Sequence, residues 1–153
     1  LQQMVAQYDA HGGGVVGVQR VPYEHTDRYG IVSVEDMQQR LGRLKGIVEK
    51  PAPDKAPSHL GVVGRYILSP AIFRILKNVK PGAGGEIQLT DAIAELLAVE
   101  PVFAYEFEGQ RYDCGDKLGY LQATVEFALK HPELGEAFAE YLSSFSKQLK
   151  AVV

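Results

Sequence analysis

Arg43-Leu44-Lys45-Gly46-Ile47-Val48-Glu49-Lys50-Pro51 reads as a strand that ends on an acid, a base and a rigid turn. Its apolar positions suit a buried strand, and the proline ring closes it. A buried strand delivers such an end to the edge of a sheet. There Glu49 can accept hydrogen bonds from sugar hydroxyls, and Lys50 can meet a phosphate as a point charge. The plain alternative is an exposed strand end carrying a solvated ion pair. The tripeptide alone does not decide between them. Two later segments add weight to the functional reading: Gly84-Gly85-Glu86-Ile87-Gln88-Leu89-Thr90-Asp91 and Tyr112-Asp113-Cys114-Gly115-Asp116-Lys117-Leu118-Gly119-Tyr120.

Outward from this stretch, the pattern is mixed. Leu1, Met4, Val5 and Tyr8 repeat at helical spacing, and Gly12-Gly13-Gly14 stops that helix near His11. Val15–Val21 is β-branched and reads as a buried strand; Pro22–Tyr29 is a polar loop. Gly30–Glu35 is the next strand, followed by a turn or hairpin over Asp36–Leu41. After Glu49, Pro51, Pro53 and Pro57 exclude a helix. Leu60–Leu68 is a long strand with Gly61 and Gly64 inside it, where a backbone or ligand comes close. Short links between the strands of Gly30–Leu68 imply antiparallel pairing.

The second half is mainly helical. Ser69 caps a helix with Pro70 in its first position and Ile72, Ile75 and Leu76 on the apolar face. Pro81–Gly85 is a loop. Thr90 or Asp91 caps a helix through Val99, with Ile93, Leu96 and Leu97 inward. Val102–Phe107 is a strand and Asp113–Gly115 a turn. Two helices follow, Asp116–Lys130 and Pro132–Lys150, the second with Leu134, Phe138, Tyr141, Leu142 and Phe145 on one side and its aromatics read as core. The order predicts an α/β fold, a mixed sheet flanked by helices.

The 153 residues suffice for one sizeable core. Hydrophobic residues make up 46% and charged residues 23%, as in ordinary globular proteins. A net charge of −3 exerts no general pull toward nucleic acid or anionic membrane, so neither is expected as a partner. No apolar run approaches the roughly 20 residues that span a bilayer, and no signal-peptide pattern opens the chain. The single cysteine, Cys114, cannot form an internal disulfide, which fits a reducing, cytoplasmic setting. Cys114 has neither a CxxC partner nor a nearby histidine, so it is not read as a nucleophile. His11, His25, His59 and His131 are scattered without metal-ligand spacing.

Asp113 stands before a small-residue turn between a strand and a helix, a place from which it can ligate a hard cation such as Mg²⁺. The alternative is an Asx turn or helix cap, but Asp116 is the better cap because the helical pattern starts just after it. Gly30 and Gly64 can present backbone groups to a sugar ring, or serve turn and packing geometry alone. Glu86, Gln88, Thr90 and Asp91 form a polar cluster at a helix start. Most of it suits capping; Glu86 has no such local duty and can face a pocket.

These segments resemble the bacterial UTP–glucose-1-phosphate uridylyltransferases, also called UDP-glucose pyrophosphorylases. The match runs through Asp27-Arg28-Tyr29-Gly30-Ile31-Val32, Gly46–Pro51, Ala56-Pro57-Ser58, Val63–Leu68, Pro81-Gly82-Ala83-Gly84, Glu86–Ile93 and Asp113–Tyr120, and covers roughly Leu1 to Leu142. Related thymidylyl- and cytidylyltransferases share the Glu-Lys-Pro element but not the whole set. The resemblance implies the C-terminal part of a Rossmann-like nucleotidyltransferase fold. It also implies a reaction: UTP and glucose 1-phosphate give UDP-glucose and pyrophosphate, with Mg²⁺. By the same resemblance Glu49 accepts glucose hydroxyls and Lys50 meets the sugar phosphate. Gly30 offers a backbone contact to the sugar, as do Val62 and Gly64 of their strand. Asp113 is one of two metal-binding aspartates. Glu86 joins the substrate-binding set, and Lys50 and Asp113 are the catalytic candidates.

The family's Gly-x-Gly-Thr-Arg nucleotide loop does not occur in this sequence, nor does its upstream metal-binding aspartate. The expectation is therefore that residues 1–153, with the helices of 116–150, form the sugar-phosphate-binding portion of a longer enzyme, inactive alone and lacking the uracil pocket. A non-catalytic sugar-nucleotide-binding or regulatory module is the alternative. The same enzyme class with ADP-glucose or dTDP-glucose specificity is a third, against which the Glu86–Asp91 run argues. Homo-oligomer contacts through the last two helices, and their simply covering their own sheet, are both open. A piece without the N-terminal strands is expected to expose an apolar sheet edge.

Overall fold

The computed structural model describes residues 1–82 and 85–150, the side chains of 149 and 150 excepted. Ala83 and Gly84, in the expected loop before Glu86, lie outside the described residues. The chain divides into two compact units, Leu1–Glu108 and Gly109–Val153.

The first unit runs α1 (Gln2–His11), β1 (Gly14–Arg20), β2 (Gly30–Gln38), β3 (Leu41–Glu49), β4 (Leu60–Ile67), α2 (Ala71–Leu76), α3 (Leu89–Leu96) and β5 (Val102–Glu106). Short 3₁₀ turns occupy Tyr23–Arg28 and Pro53–Lys55. The five strands close into a barrel in the order β1-β4-β2-β3-β5. All pairs are antiparallel except β1 with β5. Every strand thus has two neighbours, and closure removes the free apolar edge expected of a partial sheet.

The apolar pattern explains the layers. Along β1, Val16 and Val18 join the main core with Ile93 and Leu96 of α3 and Ile72 of α2. Val15, just before Val16, points the other way, to Met4 of α1 and Tyr105 of β5. A strand buried on both faces must be apolar throughout, and the first five positions of β1 are buried. Ile31, Ile93 and Leu96 are fully enclosed, so truncating any of them to alanine is expected to cost about 2–5 kcal/mol.

The β2–β3 hairpin turns on Gln39 and Arg40, with φ of 44° and 74°. That is the left-handed backbone a two-residue hairpin needs, built without the usual asparagine or glycine. In β4 the register slips between Val16 and Val18 of its partner, so Val63–Arg65 bulge opposite Gly17. Gly64 takes a φ of 69° within this bulge, which its missing Cβ allows. At the start of α2 the expected cap shifts by one: Pro70, not Ser69, is the N-cap, while the Ser69 hydroxyl accepts from the Ala71 N–H at 3.3 Å.

The second unit holds α4 (Lys117–Leu129) and α5 (Gly135–Lys150). Asp116 caps α4, its Oδ2 accepting from the Gly119 N–H at 2.9 Å. The aromatics of α5 correct the core reading: Tyr141 and Phe145 are exposed, stacked along their own helix at 6.0 Å between ring centres. Among the described residues no helix is long and apolar enough to cross a membrane.

Candidate functional site

The end of β3 is built by its neighbours. Glu49 pairs in register with Gly30 at the start of β2, and the Lys50 N–H donates to the Tyr29 carbonyl at 3.0 Å. Pro51 follows, its carbonyl accepting from the hydroxyl of fully buried Thr26 at 3.3 Å. Held this way, Lys50 adopts a φ of 45°. A left-handed non-glycine residue costs about 1–2 kcal/mol, and such strain gathers at working sites. The neighbouring left-handed residues Gln39 and Arg40 have a hairpin turn to explain them; Lys50 has none.

Glu49 is largely enclosed, its side chain only 15% exposed. Thr90 of α3 donates its hydroxyl to Glu49 Oε2 at 3.0 Å. Lys50 Nζ lies 3.8 Å from Oε1, on a side chain 58% exposed. A hydrogen bond to a charged acceptor contributes about 1.5–3 kcal/mol, and an exposed ion pair about 1 kcal/mol or less. Thr90 therefore orients the carboxylate, and Lys50 keeps its charge available. Tyr66 completes the surroundings: burial first, and the Glu49 charge second, push its hydroxyl above the ordinary tyrosine pKa.

Gly30 makes room for this pair. A Cβ there would stand 2.7 Å from the Thr90 methyl and 3.4 Å from Glu49 Oε2. The glycine is needed for this close approach, and the residue itself is buried. Val62 is buried in the main core, so only its backbone remains for a ligand. Gly64, exposed in the bulge, has open space where a Cβ would be. Glu86 is exposed on a bend, its carbonyl accepting from the Gly82 N–H at 2.9 Å.

Asp113 belongs to the second unit. Its Oδ1 accepts from the Gly115 N–H at 3.1 Å, and its Oδ2 lies 3.4 Å from Arg111 Nη2. Its side chain is 57% exposed. Gly119 packs against the Asp113 carbonyl so closely that a Cβ would strike it. Among the described residues no three His, Cys, Asp or Glu side chains gather to hold a metal. Asp113 offers one hard, exposed carboxylate with lone pairs beyond those used by Gly115 and Arg111. That fits Mg²⁺, which takes one or two carboxylates and fills its shell with water and phosphate oxygens.

Thr90 is the residue the sequence reading misplaced. The structure starts α3 at Leu89, with Gln88, two residues before Thr90, as its N-cap and no side-chain cap bond. Thr90 is buried and faces Glu49 instead of capping. A signal was present: Thr90, Ile93 and Leu97 share helical spacing, which puts the threonine on the inward stripe.

The chain is 45% identical over 142 residues to the UTP–glucose-1-phosphate uridylyltransferase of Bacillus subtilis (strain 168), covering 93% of this chain and 49% of that protein. It thus spans about half the length of the curated relatives it matches. A UDP-glucose pyrophosphorylase crystallised with UDP-glucose aligns with a TM-score of 0.79 at 39% identity, over 85% of this chain and 49% of the other. A UTP-bound UGPase from Acinetobacter baumannii aligns equally well, with a TM-score of 0.79 at 42% identity over 92% of this chain and 48% of that one. The family model described as nucleotidyl transferase matches residues 1–130, which takes in the barrel, the Glu49–Thr90 pair and Asp113 together. On that match, the chain belongs to the nucleotidyl transferase family.

Proposed function

We propose that this chain is the sugar-phosphate-binding portion of an enzyme that makes UDP-glucose and pyrophosphate from UTP and glucose 1-phosphate. The observation that carries the reading is the enclosed Glu49 carboxylate, fixed by Thr90 and flanked by the exposed ammonium of Lys50. An acceptor held in one orientation suits vicinal sugar hydroxyls, and a mobile cation beside it suits the phosphate on the same sugar. The relatives at 45% identity are UTP–glucose-1-phosphate uridylyltransferases, and they suggest the substrates.

In the reaction a phosphate oxygen of glucose 1-phosphate attacks the α-phosphorus of UTP. The bond from that phosphorus to the bridging oxygen breaks, and pyrophosphate leaves. No covalent intermediate on the protein is needed, so its contribution is positioning and charge neutralisation. Glu49 holds the sugar, with the backbone of Gly30 and of the Val62–Gly64 strand as further contacts and Glu86 at the rim. Lys50 lowers the charge of the attacking phosphate. Asp113 would hold Mg²⁺, which when bound offsets negative charge on the phosphates. Self-association and a cytoplasmic setting complete the proposal.

The test is pyrophosphate release from UTP, glucose 1-phosphate and Mg²⁺, by this chain and by the same chain extended upstream of Leu1. Activity of the extended polypeptide alone is the expected result. Inactivity of both would favour a sugar-nucleotide-binding module instead, and turnover by the 153 residues alone would end the half-site reading.

A further inference from the structure

We infer that Thr90 is a positioning residue for the sugar site, setting which Glu49 oxygen meets the ligand; this rests on the sugar-binding reading of Glu49. Threonine within a helix usually turns its hydroxyl back to a carbonyl one turn earlier, or toward a cap. Thr90 does neither. It lies in the first turn of α3 without capping it and donates to a carboxylate 41 residues away.

The choice of direction is enforced sterically. The two heavy atoms on a threonine Cβ leave few χ1 wells. The Thr90 methyl sits over Gly30, 2.7 Å from where a Cβ would stand. The methyl thus occupies the space that only a glycine leaves, and the hydroxyl is directed to Glu49 Oε2. The residue is 6% exposed, so water does not compete for the bond. With Oε2 engaged, Oε1 faces Lys50 and is the oxygen left to read a hydroxyl. Lys50 cannot do this work, because its side chain is mostly exposed and its nitrogen lies 3.8 Å away. A carboxylate held in one rotamer separates an equatorial from an axial hydroxyl; a rotating one follows either.

The experiment uses the extended polypeptide, with Thr90→Val, Thr90→Ser and Glu49→Ala beside the parent. Valine keeps the methyl and the volume but removes the hydroxyl; serine keeps the hydroxyl. Calorimetric binding of glucose 1-phosphate and of UTP is measured together with KM for each, and with discrimination against galactose 1-phosphate. Thr90→Val is expected to weaken glucose 1-phosphate by about tenfold, the effect of losing one modest hydrogen bond. UTP should stay within about twofold, galactose 1-phosphate should be rejected less well, and Thr90→Ser should restore most of the loss. If Glu49→Ala weakens the sugar phosphate but Thr90→Val does not, the positioning role is wrong and the sugar reading stands. Equal weakening of both substrates by Thr90→Val, or no rescue by serine, would assign Thr90 a packing role only. If Glu49→Ala leaves sugar-phosphate binding intact, the sugar reading fails and takes this inference with it.

Discussion

Glu49 and Asp113 are both acidic residues at strand or turn ends, yet their surroundings have little in common. Glu49 is enclosed and oriented by contacts distant in sequence: Thr90 at 41 residues, and a register partner at Gly30. Asp113 is exposed, and its carboxylate meets residues two positions away, Arg111 and Gly115. On the proposed roles, the difference is the one expected between reading a shape and binding an ion. A sugar hydroxyl demands a fixed acceptor, because an angular error of tens of degrees loses the bond. A cation with a water-rich shell tolerates a hydrated, loosely held carboxylate. One local device is common to both acids: each stands beside a glycine whose missing Cβ makes the arrangement possible, Gly30 for the Thr90–Glu49 pair and Gly119 for the Asp113 carbonyl.

The comparison is easiest to break at Asp113. In the extended polypeptide Asp113→Asn is expected to lower turnover by about a hundredfold or more, the scale of losing one charge-stabilising group. Its Tm should move by no more than about 2 °C, since the residue is exposed and its bonds are local. Near-normal turnover at saturating Mg²⁺ would remove Asp113 from the chemistry.

Gly30→Ala tests the other acid through packing. The new Cβ would press on the Thr90 methyl at 2.7 Å, and overpacking of this kind costs about 1–3 kcal/mol. Serine at position 90 lacks that methyl. Gly30→Ala is therefore expected to cost clearly less in a Thr90→Ser background, with a coupling of about 0.5 kcal/mol or more by denaturant titration. Additive costs would mean that the methyl is not what excludes a Cβ.

Lys50 offers a smaller and sharper effect. Lys50→Gly removes the ammonium and relieves left-handed strain of about 1–2 kcal/mol, offset in part by about 0.4–1 kcal/mol of extra freedom in the unfolded chain. It should be more stable than Lys50→Ala by about 1 kcal/mol or less, while both variants bind glucose 1-phosphate poorly. Equal thermal midpoints for the two would show that φ at position 50 carries no strain.

Legibility in the sequence followed the range of the interactions. The strands, the Gly12–Gly14 stop and the Asp116 cap are written in local patterns, and the structure has them within a few residues. Barrel closure is not, because the pairing of β5 with both β1 and β3 joins segments far apart in the chain. The hairpin turn was invisible in type, since Gln39-Arg40 has none of the glycine or asparagine that marks left-handed turns. Among the candidate residues, Glu49, Lys50 and Asp113 stand out by residue type and place. Thr90 was hidden by an ambiguity of chemistry: near a helix start, a threonine reads as a cap until its partner across the fold is known. The aromatics of α5 misled in the opposite way, because a stripe of rings at helical spacing reads as core whether or not anything covers it.

The smallest expected effect lies in the alkaline limb of stability. The Tyr66 hydroxyl is held above its ordinary pKa of 10.0, by burial first and by the Glu49 charge second. A group whose folded pKa is raised stabilises the fold fully below its unfolded value and loses that contribution as pH climbs through the folded one. Stability should thus fall above about pH 10, where the unfolded chain ionises its tyrosine and the folded chain resists doing so. Tyr66→Phe removes this part of the decline, and Glu49→Gln removes only the share due to charge. Denaturant midpoints between about pH 9 and pH 11.5 would resolve the two. An alkaline limb unchanged in Tyr66→Phe would mean that the hydroxyl ionises as freely folded as unfolded. One unchanged in Glu49→Gln alone would place the carboxylate's field on the ligand side of the site, away from Tyr66.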